Sequence, residues 1–177
     1  MPSPHPHNNF SVRTLSASDV QSFKEVRLGA LREYPQYFLD NADKASKRSD
    51  AEWEDYLVGD NKRVFGLFNN DILIGIASIF KPELEAHKDI AYLAMGFVHP
   101  NFRGLGLSSL LYNARLEWAK NNPNTNILKI SHRKGNTVSS KAIIKNGFKY
   151  IGEEKETYGD GTTEISLKYQ LNLRDND

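Results

Sequence analysis

Along the chain, hydrophobic and polar positions change period several times, and each change marks an element. SVRTL, Ser11 to Leu15, alternates polar and apolar residues as a short half-buried strand does. The period then lengthens. Val20, Phe23, Val26, Leu28, Ala30 and Leu31 fall on one helical face, with Ser18 or Asp19 as N-cap and Pro35 as the stop. The stretch PQYFLDNADKASKR is mixed and polar and reads as a loop. Ser49 stands three residues before Glu52, a capping-box spacing, and Trp53, Tyr56 and Leu57 share a face, so a short helix is predicted there.

RVFGLFNNDILIGIASIF has apolar runs on both sides of Asn69, Asn70 and Asp71, which predicts a hairpin. A charged connector, KPELEAHKD, leads to Ile90–Val98, apolar throughout and read as a strand buried on both faces. Leu107, Leu110, Leu111, Ala114 and Trp118 return to helical spacing and predict a core-facing helix. ILKIS is another strand. Val138, Ala142 and Ile143 predict a last helix with Gly147 at its C-cap, and FKYIGEE and TEISLKYQL a final antiparallel pair. The order β-α-α-β-β-β-α-β-α-β-β indicates an α+β, or mixed α/β, domain. Residues 1–10 are expected to be a flexible lead-in, 11–173 a single domain and 174–177 a frayed end.

Composition narrows the classes. Lys and Arg number 23 against 22 Asp and Glu, a formal net charge of +1, so nothing general draws the chain to nucleic acid or an anionic membrane. There is no cysteine, which excludes disulfides, a thiolate nucleophile and a Cys-based zinc site and fits a reducing, cytoplasmic location. No apolar stretch approaches the ~20 residues that span a bilayer. MPSPHPHNNF lacks the basic and apolar regions of a signal peptide. His5 and His7 within it are read as tail residues, and no metal is expected.

The chemistry gathers in HPNFRGLGLSS, His99 to Ser109, where a strand gives way to a helix. The first N–H groups of a helix lack intrahelical partners, and the helix dipole adds partial positive charge there. Glycine removes the side chain that would hold an anion away, so this corner suits a phosphate or diphosphate; tight packing alone would also explain it. Arg103 adds a cation. The pattern GxxxxGK[ST] is absent, and Ser109 stands where a dinucleotide-binding fingerprint needs a third glycine.

VHPNFRGLGLSSLL resembles motif A of the GCN5-related N-acetyltransferases (GNAT), Arg/Gln-x-x-Gly-x-Gly/Ala, with Arg103, Gly104, Leu105, Gly106, Leu107 and Ser108 at the six positions and Ser108, a small residue that still fits, in place of the final Gly or Ala. NTVSSKAIIKNGFKYIG is similar to the family's motif B, with Asn136, Ser139 and Gly147-Phe148 at matching spacing. The resemblance runs from Ser11 to Leu171. It implies a mostly antiparallel twisted sheet of six to seven strands flanked by about four helices and splayed between the fourth and fifth strands. It implies acetyl-CoA as cosubstrate, its diphosphate on the amides of Arg103 to Ser108. The pantetheine arm would pair with Phe97 and Val98 and bond to Asn136, whose other reading is a plain N-cap.

Acetyl transfer needs a neutral amine, a polarised thioester carbonyl and a proton for the leaving thiolate. A backbone N–H near Val98 would polarise the carbonyl. Many relatives carry a tyrosine acid four residues before the Gly-Phe pair; this chain has Ile143, read as a core residue, and Tyr150 and Tyr158 are the nearest substitutes. For the base, the acceptor-facing side of the central strand offers Tyr92, Ala94 and Gly96, so Tyr92 is the candidate there, with Glu83, Glu85 and His87 before the strand able to act through water. Solvated connector charges are the plainer reading of those three. Glu33, Tyr34 and Phe38 are the acceptor-side candidates, and His132-Arg133 is placed at the cofactor edge. The expected activity is direct acetyl transfer to a primary amine, a small or amino-acid-like acceptor being favoured over a protein amine, by a monomer or homodimer. A non-catalytic acyl-CoA-binding module is the alternative, and a peptide-binding domain independent of coenzyme A a third.

Overall fold

A computed structural model describes residues 9–174. His5, His7, most of the expected lead-in and residues 175–177 lie outside the described part. The strands are β1 (Phe10–Thr14), β2 (Lys62–Asn69), β3 (Ile72–Phe80), β4 (Ile90–Val98), β5 (Ile127–Arg133), β6 (Lys149–Thr157) and β7 (Thr163–Asn172). They form one 7-stranded sheet in the order β1-β2-β3-β4-β5-β7-β6, antiparallel everywhere except between β4 and β5. The helices are α1 (Val20–Glu33), α2 (Ala42–Ser46), α3 (Asp50–Asp55), α4 (Ser108–Lys120) and α5 (Thr137–Lys145).

The sheet separates two cores. On one face α4 packs Leu107, Leu111, Tyr112 and Ala119 against Leu67, Ile79, Leu93 and Leu128. On the other, α1 and α3 bury Phe23, Leu31 and Trp53 against Val64, Phe68, Ile76 and Phe97. Phe23 and Trp53 are both 0% exposed and meet edge to face at 5.7 Å. Truncating either would cost about 3–5 kcal/mol.

Several boundaries depart from the sequence pattern. β1 begins at Phe10, inside the expected lead-in, because Asn70 N–H donates to the Asn9 carbonyl and extends the ladder. Asp19 holds the N-cap position of α1, which runs from Val20, but its side chain makes no cap bond there; Ser16 and Asp19 instead form a capping box around the preceding 3-10 turn Ala17–Asp19. The polar stretch after Pro35 is not all loop, since the Asn41 side chain accepts from Asp43 and Lys44 N–H and starts α2. The capping box at Ser49 and Glu52 forms as its spacing predicts.

Helix faces are rotated relative to the pattern. On α4 the buried stripe is Leu111, Tyr112, Arg115 and Ala119, while Leu110 is exposed. Arg115 is admitted because its Nε donates to the Leu111 carbonyl and its guanidinium lies over the Tyr112 ring at 4.5 Å. Burial pushes that guanidinium down to about 10. On α5 Val138 is 79% exposed and Ile143 1%: the helix packs on β5 and turns Ile143 into the core with Phe148 and Tyr169. β4 is not buried along both faces either: Gly96 is exposed.

Candidate active site

The open corner between β4 and α4 sits at the end of a splay. β4 and β5 pair only from Ile90–Tyr92 against Ile127–Lys129; beyond that point they diverge, and the β4 edge from Leu93 to Val98 has no strand beside it. The 3-10 turn Pro100–Phe102 follows, then Gly104 at φ 79 and Gly106 at φ 74. These left-handed positions suit glycine, and a Cβ at either would meet nothing within 4 Å. Among the described residues the N–H groups of Gly104, Leu105, Gly106, Leu107 and Ser108 have no protein acceptor. They lead into the positive end of α4, an anion cradle. The Arg103 N–H is not among them; it donates to the Pro100 carbonyl over 3.2 Å.

A bulge lies halfway along the open edge. Ser78 pairs with Ala94 and Ile76 with Phe97, so Ala77 faces both Met95 and Gly96. Met95 is held at φ 58, a left-handed conformation that a non-glycine residue adopts at a cost. The inserted residue reverses the alternation. Leu93 before the bulge packs on the α4 side, whereas Phe97 after it packs on the α1 side. Gly96 therefore does not continue the Tyr92–Ala94 face as strict alternation predicts. Glycine inside a strand pattern signals a bulge, and that signal was present at Gly96.

A roof crosses the splay on the α1 face. Tyr34 packs on Phe97 of β4, with ring centroids 6.1 Å apart, and Arg103 lies over Tyr34 at 4.7 Å. From the β5 side, Arg133 Nη1 donates to the Gln36 carbonyl over 3.2 Å and pairs with Asp160 at 2.8 Å. The β6–β7 turn is latched to the same segment, with Gly159 N–H donating to the Phe38 carbonyl at 2.7 Å and Asn41 Nδ2 to the Gly159 carbonyl at 3.0 Å. Bonds from the Thr162 hydroxyl and N–H and from Arg133 hold the Asp160 carboxyl down to about 2.

The sequence profile of the acetyltransferase (GNAT) family matches residues 28–148. The chain belongs to that family. Its fold is also that of the GNAT-family acetyltransferase from Streptococcus pneumoniae, at TM-score 0.81 and 18% identity over 92% of this chain and 99% of that one. The structure of yncA from Salmonella typhimurium with its cofactor acetyl-CoA superposes at TM-score 0.78 with 19% identity over 96% of each chain. RimL, a ribosomal L7/L12 alpha-N-protein acetyltransferase in complex with coenzyme A, superposes at 0.76 with 19% identity, covering 96% of this chain and 97% of RimL. No curated protein matches in sequence.

In this GNAT chain the expected site residues divide into groups. Phe97, Val98 and Arg103 to Ser108 converge on the open β4 edge and the corner. Across the splay, Asn136 Oδ1 accepts from Ser139 N–H over 3.2 Å, so Asn136 is an N-cap with its amide nitrogen still available. Tyr92 stacks on Phe80 at 5.6 Å and pairs with Lys129 at the closed base of the splay. Glu85 lies in the 3-10 turn Glu85–His87 before β4. Tyr34 and Phe38 belong to the roof, and Glu33 ends α1 beside them. Ile143, 1% exposed, sits in the α4-side core with Phe148 and Tyr169. Tyr158 is buried beneath Arg133, whose guanidinium lies 5.2 Å from its ring, whereas Tyr150 is exposed. His132 stacks on Tyr169, and its ring nitrogens contact Tyr169 Oη at 3.0 Å and the Arg133 carbonyl at 2.7 Å.

Among the described residues no group of His, Asp and Glu could hold a metal ion, and no helix is long and apolar enough to cross a membrane.

Proposed function

We propose that the chain is an acetyl-CoA-dependent N-acetyltransferase that passes the acetyl group directly to a primary amine. The observation that carries this reading is the run of unpartnered amides from Gly104 to Ser108 beside an unpaired strand edge. The cradle fits a diphosphate: its donors are free, its glycines leave open space, and helix α4 adds partial positive charge. The edge fits an extended amide-bearing arm, which would pair with backbone at Phe97 and Val98 as an added strand does. Asn136 would bond that arm from the β5 side, with Ser139 holding Asn136 in place.

Chemically, the amine nitrogen attacks the thioester carbonyl carbon, the C–N bond forms, the C–S bond breaks, and the proton lost by nitrogen ends on the departing sulfur. A backbone N–H near Val98 would bond the developing oxyanion, an effect of about 3–4 kcal/mol where measured in other enzymes. Ile143 supplies no acid, so the coenzyme A thiolate leaves without help from that position. With no cysteine an acyl-thioenzyme is impossible, which favours direct transfer in a ternary complex.

The acceptor is read as a small amino-acid-like amine, acetylated in the cytoplasm by a monomer or homodimer; a protein amine, as in the RimL likeness, is the competing acceptor class. Calorimetry with acetyl-CoA, followed by a thiol-release assay against a panel of amines, tests the reading. Saturable binding with amine-stimulated release of coenzyme A supports it. Tight binding with no release by any amine would instead make the chain an acyl-CoA-binding module.

A further inference from the structure

The roof covers the α1 face of the splay at its wide end. Tyr34 and Arg103 hold the roof to β4, and Arg133 and Gly159 hold it to β5 and the β6–β7 turn, so the splay is covered where the strands are furthest apart. Lower on the same face a cavity of about 690 Å³ opens between the α3–β2 connection and strands β3 and β4. Its inner wall includes Tyr56, Ser78, Ala94 and Met95. Ala94 precedes the bulge on the open β4 edge and Met95 is its first residue, so the cavity borders the strand segment along which the thioester would lie.

Within that wall stands an unsatisfied polar group. Ser78 is 5% exposed, and its Oγ is buried with no hydrogen-bond partner. It is the cross-strand neighbour of Ala94 and lies on the α1 face together with Ile76. An unpaired buried hydroxyl is costly, and of the buried polar atoms without a partner among the described residues, Arg27 Nε and Nη1, Trp53 Nε1, Thr125 Oγ1 and Ser78 Oγ, only that of Ser78 belongs to a residue of this cavity wall, which points to a ligand that completes it.

The charges of the lining decide the kind of ligand. Lys62, Arg63 and Lys81 line the same space as Asp55, Asp60 and Glu83, an even balance of sign in which Lys62 and Asp55 pair with each other at 2.6 Å. A polyamine would be matched by an acidic lining and a phosphorylated amine by a basic one; an even mixture matches a molecule carrying both charges.

We propose that this cavity is the acceptor pocket, that the Ser78 hydroxyl is its polar anchor, and that it takes a small zwitterionic amine of the amino-acid class. This assignment rests on the acetyltransferase reading and replaces Glu33, Tyr34 and Phe38 as the acceptor contacts. The ammonium first gives one proton to solvent water; Ser78 Oγ then accepts a hydrogen bond from the neutral amine N–H, which turns the nitrogen lone pair towards the thioester carbon. The nitrogen then gains the acyl carbon, coenzyme A leaves with the C–S electron pair, and the amine's surplus proton completes the thiol. Lys81 and Arg63 attract the acceptor carboxylate at the rim.

The experiment compares wild type with Ser78→Ala, Ser78→Thr and Ala94→Leu. The probes are the protein amino acids and their decarboxylated amines. Amine binding to the coenzyme A-saturated protein is read by calorimetry, amine KM by thiol release, and acetyl-CoA Kd separately. The amino acids should bind more tightly than their decarboxylated partners. Ser78→Ala should raise amine Kd and KM about tenfold, the size expected for one hydrogen bond to a substrate, with acetyl-CoA Kd unchanged. Ser78→Thr keeps the hydroxyl and should restore most of that loss, while Ala94→Leu should block amine binding by filling the wall. Wild-type amine affinity in folded Ser78→Ala and Ala94→Leu would overturn the pocket, as would preference for the decarboxylated amines. If acetyl-CoA does not bind to wild type, the acetyltransferase reading itself fails; if it binds and an amine is turned over regardless of the Ser78 variants, only the pocket does.

Discussion

Arg103 Nε donates to the carbonyl oxygen of Val98 over 2.8 Å, so a guanidinium lies across the open edge of β4. The same group packs over Tyr34 and Phe97, away from the free amides that follow it. Its side chain therefore acts at the strand edge and the roof, and on the proposed reading a diphosphate would be held by backbone donors. Arg103→Ala is expected to leave affinity for adenosine diphosphate within about twofold. Acetyl-CoA should bind up to about fivefold more tightly, because the Val98 carbonyl becomes available to the pantetheine arm. Parallel calorimetric titrations with the two ligands check this, and equal weakening of both would put Arg103 at the phosphates.

Gly106 tests the cradle itself. A side chain there meets no neighbour within 4 Å but must adopt φ 74, so the fold should survive a substitution at a cost of about 1–2 kcal/mol. Gly106→Glu places a carboxylate where the diphosphate would sit, and acetyl-CoA affinity should fall at least about a hundredfold. Gly106→Ala should lose no more than about tenfold. Circular dichroism establishes folding, and unchanged affinity in folded Gly106→Glu would remove the cradle from the cofactor site.

The latch over the splay depends on Gly159. A Cβ there would overlap the Asp40 carbonyl oxygen and stand 3.1 Å from that of Pro35 and 3.3 Å from that of Phe38. All of these are backbone atoms that cannot swing aside. Gly159→Ala should therefore push the β6–β7 turn off the roof and lower stability by about 2–3 kcal/mol. Hydrogen exchange should rise at Gly159 and Asn41, with the α4 core unaffected; protection as in wild type would show the latch to be dispensable.

Asp19 makes one part of stability depend on pH. The Arg13 guanidinium, at 2.8 Å, and the Ser16 N–H and hydroxyl hold its carboxyl down to about 2, although burial opposes this. A carboxyl depressed on folding stabilises above its unfolded pKa, about 3.9, and that contribution is lost as pH falls towards 2. Asp19→Asn should lower stability at pH 7 by about 1 kcal/mol, the usual worth of a cap, and by much less at pH 2. Denaturant melts of both proteins across that range supply the comparison; a constant gap would mean the ion pair contributes nothing.

Local signals in the chain were read well where neighbours in sequence are also neighbours in space. The Ser49–Glu52 box, the hairpin at Asn70 and the Arg103–Ser108 corner are all of this kind, since each is closed by bonds spanning only a few residues. Helix faces were read less well. Arg115 looks polar in sequence but is buried, because Leu111 and Tyr112 receive its guanidinium, while Leu110 and Val138 look apolar and face solvent.

Apart from α2, the order of elements and the glycine corner were thus determined by the sequence alone, because period, caps and left-handed glycines are properties of short segments. Tertiary structure decided where β4 and β5 part, which way the strand faces after Met95, that Arg133 and Gly159 join the roof that Arg103 packs on, and that Ser78 lines a cavity with Tyr56. Those relations join residues that are far apart along the chain. Only the packing of the sheet against its helices determines whether a buried hydroxyl finds a partner or is left facing a cavity.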